Sequence, residues 1–234
     1  LGYNANMLAN EMYLDSADLR SSVVSLAKQV GYTPTSATAS SAIVDVLINN
    51  ASGSTLTMNA GTQFTTTVNG QSYAFVNKED VSITPIDGVF KFSNLSIFEG
   101  SYLNYKYTVS TSDIDQRFVI PNDGVDTSTL TIKVQESSSD STTQTYKLAT
   151  GITGLDSTSK VYFLQEVEDG RFEVYFGDDV LGEAIADGNI VILDYITCNR
   201  DEPNGATSFT LNGTVDGFAL SLIHIWRCRR SKQC

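Results

Sequence analysis

The chain has 234 residues and a mass of 25.4 kDa, room for one large β domain or two ordinary ones. Hydrophobic residues make up 41%, enough for a buried core and too many for wholesale disorder. With 15 basic against 27 acidic residues the formal net charge is −12, which argues against nucleic-acid binding by phosphate neutralisation, and no apolar run reaches the ~18 residues of a membrane span.

Charged residues are only 18%, and the polarity comes from 51 Ser and Thr. No charged-then-apolar secretory leader opens the sequence, and Leu1 in place of Met suggests a missing start. Leu19, Val23, Leu26, Ala27 and Val30 recur at helical spacing and predict an amphipathic helix, capped by Asp15 or Ser16 and ended by Gly31 and Pro34. A shorter helix is expected over about Asn6 to Tyr13, where Met7, Leu8, Met12 and Leu14 form a looser stripe. A helix of about fifteen residues is marginal alone in water. Ahead of the polar linker TPTSATASS (33–41), it is expected to stand away from the rest and pack on another chain, with Leu19, Val23, Leu26 and Val30 as the contact face.

Beyond the linker the apolar period changes from 3.6 to 2. Val44, Val46 and Ile48 mark the buried face of a strand, and Asn69-Gly70 between TQFTTTV and QSYAFV predicts a hairpin. Further strands are expected at Val81–Ile83, Val89–Phe98, Tyr102–Val109, Arg117–Ile120, Thr129–Gln135, Gln144–Lys147, Val161–Val167, Arg171–Phe176 and Ile190–Thr197. ESSSDSTT (136–143) reads as a solvated hairpin tip. The expected fold class is mainly β with an N-terminal α-helical arm (α+β), the β part an antiparallel sandwich or barrel-like domain.

Residues 220–234, LSLIHIWRCRRSKQC, break from this composition. They hold the only Trp (Trp226), the only His (His224), two of three Cys (Cys228 and Cys234) and four basic residues without an acid. From Leu220 to Arg230 they match the translation of a transposase adapter used in sequencing libraries, with Trp226 at the stop-codon position. The segment therefore reads as a non-native tail. The expected organisation is a helical arm at 1–32, a linker at 33–41, a β-rich region at 42–219 truncated at its C-terminus, and this tail. The first 219 residues carry 11 basic and 27 acidic residues, no His, and Cys198 as their one cysteine. That removes Ser-His-Asp and Cys-His catalysis, internal disulfides and Cys-rich zinc sites.

Candidate chemistry is thin. Glu166 and Glu168 share one face of a strand and could form a glycosidase-like pair, but solvent-facing charges beside the Asp169-Gly170 turn explain them as well. Asp178, Asp179 and Asp187 offer oxygen ligands without the spacing of a calcium loop. No phosphate-binding glycine motif and no nucleophile elbow is present. The reading is therefore not an enzyme, with no catalytic, cofactor or metal site.

An ordered set of motifs resembles a known family. Val30-Gly31-Tyr32-Thr33-Pro34 closes the helical opening, Gly61-Thr62-Gln63-Phe64 leads into the hairpin, and Pro121-Asn122 follows Phe118-Val119-Ile120. The sharpest block is Phe172-Glu173-Val174-Tyr175-Phe176-Gly177-Asp178-Asp179, then Leu181-Gly182 and Gly188-Asn189-Ile190-Val191, with Asn204-Gly205 beyond. These resemble baseplate wedge proteins of T-even-like contractile-tailed bacteriophages, of the baseplate J-like family, over about residues 1–215. Ala60 departs from the usual Pro. Asp179 departs from the usual Gly, and Asp tolerates positive φ better than most residues.

The resemblance implies a structural virion subunit of the tail baseplate, assembled in the bacterial cytoplasm. It implies homodimers that join wedges into a ring and bind other wedge proteins, with no nucleic-acid, membrane or small-molecule partner. Gly61, Thr62, Phe64, Pro121, Asn122, Phe176, Gly177, Asp178, Gly182 and Gly188 carry its structural motifs. The alternative is an extracellular Ser/Thr-rich β-sandwich binding module of the adhesin kind.

Overall fold

A computed structural model describes residues 10–13, 15–29, 35–49, 51–167, 170–200, 202–219 and 222–229, of which 28–29 and 226–229 by backbone alone. About half the chain (49%) is strand. The elements are α1 (Arg20–Gln29), β1 (Ser41–Ile48), β2 (Leu56–Met58), β3 (Gln63–Val68), β4 (Gln71–Asn77), β5 (Val81–Ile83), β6 (Phe90–Glu99), β7 (Ser101–Thr108), β8 (Phe118–Val119), β9 (Val125–Ser137), β10 (Asp140–Leu148), β11 (Val161–Glu166), β12 (Phe172–Phe176), β13 (Ile190–Thr197), β14 (Thr210–Leu211) and β15 (Leu222–Arg229). A six-stranded sheet has the order β14-β3-β4-β6-β1-β15, a seven-stranded sheet the order β7-β13-β9-β10-β11-β12-β8, and β2 pairs with β5. The two large sheets are each nearly closed and barrel-like. No helix among the described residues is long and apolar enough to cross a membrane.

The chain divides into two compact units. The first comprises Leu1–Ser36, Lys106–Asp123 and Ile132–Ile192. In it β11 lies antiparallel to β12 and β12 to β8, while β10 and β11 run parallel. That parallel pair corrects the expectation of a wholly antiparallel domain. Its core includes Ile120, Ile132, Tyr146, Tyr162, Phe172 and Val174, all under 9% exposed. A chain of edge-to-face rings, Tyr107–Phe118–Phe176–Tyr146, runs at centroid spacings of 5.5, 5.7 and 5.5 Å, the geometry that aligns ring edges with neighbouring π faces.

The expected N-terminal helical arm is not there. One short helix of ten residues stands in its place. Residues 10–18 make turns instead. Ser16 Oγ donates to the Asn10 carbonyl at 2.7 Å, and the Glu11 carboxylate accepts the Asp18 and Leu19 N–H groups at 3.1 and 3.3 Å. A carboxylate from another turn thus satisfies amides just ahead of the helix, the task expected of Asp15 or Ser16. Arg20 then fastens the helix to β11 of its own unit through Glu166. Arg20, Val24 and Ala27 lie at i, i+4 and i+7, and Val24 and Ala27 are the buried helix positions at 8% and 6%. Leu19 is 48% exposed, and Val23 and Leu26 are half-buried. Val30, Gly31, Tyr32, Thr33 and Pro34, and most of the shorter helix expected before Tyr13, lie outside the described residues.

The second unit comprises Ala37–Tyr105, Gly124–Thr131 and Leu193–Cys234. Its six-stranded sheet is antiparallel throughout. Alternation on β1 (Ala42, Val44, Val46, Ile48), β3 (Phe64), β4 (Phe75) and β6 (Phe90, Phe92, Ile97) supplies its core, joined by Leu56, Met58, Phe209 and Val215. Ala39 and Ser40, in the expected linker, are buried in this unit: Ala39 N–H donates to Asp126 Oδ2 at 2.8 Å, and Ser40 Oγ to the Arg200 carbonyl at 3.0 Å.

Candidate functional site

The loop after β12 holds the sharpest sequence block. β12 ends at Phe176, half-buried in the aromatic chain. A Cβ built on Gly177 would lie 2.2 Å from the Gly182 backbone, and one on Gly182 would lie 2.8 Å from Val161 Cγ2. The two ends of the loop touch through their main chains, a proximity that only glycine permits at both positions. Between them Asp178 Oδ1 accepts the Val180 and Leu181 N–H groups at 3.1 and 3.0 Å. Those two amides, Leu181 first, hold the Asp178 carboxyl below its usual range. Asp179 takes φ +63° and its Oδ1 accepts the Ala184 N–H at 2.9 Å, so the residue standing where the resembled motif has Gly does adopt the left-handed region. Gly182 N–H reaches the Asp156 carbonyl and Glu183 N–H the Ser159 carbonyl, at 3.0 and 2.9 Å. Asp156 is itself held below its usual range, first by the Ser159 hydroxyl and then by Thr158. Val180 and Leu181, at the tip, are 67% and 38% exposed.

The other motif residues serve separate turns. Gly61 takes φ +79° against the Tyr102 ring, Thr62 Oγ1 donates to the Asn59 carbonyl at 2.7 Å, and Phe64 is a core residue at 0% exposure. Pro121 is exposed and Asn122 half-buried, just after Ile120, whose N–H meets the Phe172 carbonyl at 2.7 Å. Gly188, at φ +80°, donates to the Val109 carbonyl at 2.9 Å. Of the motif set, Phe176, Gly177, Asp178 and Gly182 form one loop.

The carboxylates read as solvent-facing include two that are buried. Glu166 is 1% exposed, and its two oxygens accept Arg20 Nε and the second guanidinium nitrogen at 2.8 and 3.0 Å. Glu173 is 8% exposed and pairs in the same bidentate way with Arg117 at 2.7 and 2.9 Å, with Gln165 Nε2 donating at 2.8 Å. Glu168 and Asp169 lie outside the described residues. Asp187 Oδ1 accepts the Thr111 N–H at 2.9 Å. Among the described residues no three His, Cys, Asp or Glu side chains cluster as metal ligands would.

The sequence reading missed a fourth construction, in the second unit. Glu99, 1% exposed, accepts the Asn199 N–H at 2.9 Å and the Asn199 side-chain amide at 2.8 Å. Burial pushes its carboxyl up against the pull of those bonds. A Cβ on the neighbouring Gly100, at φ +125°, would lie 1.9 Å from the Thr197 carbonyl oxygen. Glu99-Gly100 was visible in the sequence only as turn punctuation. Nothing local marks the carboxylate as buried, because its partner lies a hundred residues away.

No protein-family model matches the chain. Among curated proteins it is 25% identical over 229 residues to baseplate wedge protein gp6 of Enterobacteria phage T4, a match that covers 90% of this chain and 34% of that protein. The chain therefore spans about a third of the length of the curated relative it matches. The likeness supports a distant, baseplate-related relationship.

Proposed function

We propose that this chain is a structural component of a phage tail baseplate wedge that works by assembly and not by turnover. The observation that carries this reading is the likeness to a baseplate wedge protein along nine-tenths of the chain. The uses found for the acids agree with it. Glu166, Glu173, Asp178 and Asp179 each accept hydrogen bonds that fasten a helix, a strand or a loop. In this reading copies of the chain associate with each other and with other wedge proteins within a contractile-tail virion, and residues 220–234 are a translated adapter outside the natural protein. The acidic surface keeps the subunit soluble before assembly and steers it toward more basic partners.

Contact positions follow from exposure. Leu19 and Leu26 on α1, with Met12 and Tyr13 ahead of it, present apolar surface on the first unit. Antibody raised against the chain and imaged on virions by electron microscopy should decorate the baseplate; label on the capsid or none on the particle would sink the assignment. In sedimentation velocity, Leu19→Asp with Leu26→Asp should lower self-association while the circular dichroism spectrum stays that of the wild type. Unchanged association in that double variant removes the helix from the interface.

A further inference from the structure

The edge of the six-stranded sheet at β1 is covered in an unusual way. β15 pairs antiparallel with β1 in seven register positions, from Ser41↔Arg229 to Leu47↔Leu222, with one irregularity between Ile43 and Val44. Paired residues share a face of the sheet. Ile225 and Ile223 therefore side with Val44 and Val46, both 0% exposed, and both isoleucines pack against the core cluster. Leu222 and His224, opposite Leu47 and Asp45, are exposed. The seat thus consists of a main-chain ladder and two apolar side chains at alternate positions.

The sequence in that seat differs from the rest of the chain. It lies within the segment that reads as a translated adapter and that contributes the only Trp and the only His. An edge that seats a strand of such origin selects by pattern: extended backbone, branched apolar residues two apart, free choice between them. The remaining 219 residues carry 11 basic and 27 acidic residues, so a basic strand such as this one is favoured electrostatically.

We propose that the outer edge of β1 is a strand-acceptor site for an extended peptide, supplied by a second polypeptide, that carries branched apolar residues at two alternate positions. Main-chain pairing provides affinity and the two side-chain seats over Val44 and Val46 provide selectivity, the division of labour of strand addition to a sheet edge. Strand acceptance is a property of this edge whether or not the protein belongs to a baseplate.

The test uses the full chain in three forms. Ile223→Asp with Ile225→Asp expels β15 and opens the edge. Leu47→Cys with Leu222→Cys, neighbours in register, locks β15 in place once oxidised. The third is the wild type. The probe is a fluorescent synthetic peptide with the sequence of residues 222–229, against one in which both isoleucines are serine. The opened variant should bind the isoleucine peptide at least about tenfold more tightly than the serine peptide, and the oxidised locked variant should bind neither. Equal binding of the two peptides, no binding by the folded opened variant, or binding by the locked form would overturn the proposal. If circular dichroism shows the opened variant unfolded, strand exchange decides. Prolonged incubation should load the isoleucine peptide onto wild-type chain and not onto the locked form, and equal loading of the two, or none on either, overturns it.

Discussion

The two units keep buried acids by different means. In the first, Glu166 and Glu173 each meet a guanidinium in bidentate geometry, so a full positive charge answers each carboxylate. In the second, Glu99 meets two N–H groups of one asparagine, and its carboxyl is raised. The apolar material differs as well. The second unit encloses one cluster of strand residues, whereas the first has a chain of aromatic rings and a loop whose two glycines touch. Where alternation supplies a core, the fold tolerates an acid held by dipoles alone. Where helix, strand and loop must be tied together, charge pairs and backbone contact do the tying.

Overpacking and cavity formation should show the largest effects. Phe92→Ala in the second unit empties a fully buried ring position and should cost about 3–5 kcal/mol in urea unfolding. Gly177→Ala in the first should cost a comparable amount, about 3 kcal/mol, because the new methyl meets backbone that cannot rotate away. A midpoint within error of the wild type for the glycine variant would show that the loop opens freely.

The Arg20–Glu166 pair should respond asymmetrically. Arg20→Ala leaves a carboxylate that is 1% exposed, while Glu166→Ala leaves a guanidinium side chain that is 63% exposed and can be hydrated. The first change should cost about 2 kcal/mol and the second about 1 kcal/mol, after allowance for the solvent screening of the arginine. Equal costs in paired denaturation curves would mean that the burial of Glu166 does not set the energetics.

Glu99 gives a pH signature. Its folded carboxyl is raised above the ordinary 4.5, so the folded chain holds that proton more tightly than the unfolded chain does. The contribution is fully present below the ordinary value and is lost as pH rises through the raised one. Glu99→Gln should therefore flatten the fall in melting temperature above about pH 4.5, as read by calorimetry across a pH series. An identical slope in the variant would assign the dependence to other groups. The smallest effect belongs to Gly70→Ala, in a hairpin turn at φ +82° with open space where the methyl would go. Only the conformational penalty remains, about 1 kcal/mol.

Much of the strand layout was legible. The Asn69-Gly70 hairpin forms with both residues at positive φ, and Val81–Ile83 and Ile190–Thr197 are strands over the expected bounds. The helix was legible as a helix but not in its length or orientation. The stripe through Leu19 and Val23 matched helical spacing, yet an arginine bonded 146 residues away set the buried side at Val24 and Ala27. Of the motif loop, Gly177 and Gly182 were visible as punctuation, and Asp179 was expected to tolerate positive φ. The mutual contact of the two glycines was not visible.

Local periodicity and turn chemistry are written within a few residues of each other, so the sequence alone determined the β character, the hairpins and the buried faces of the longest strands. Which carboxylates are buried, which glycines are pressed against backbone, which side of α1 faces inward and which strand lies beside β1 depend on groups brought together across tens to hundreds of residues. Those choices belong to the tertiary structure, because the free energy of each contact exists only once its distant partner is in place.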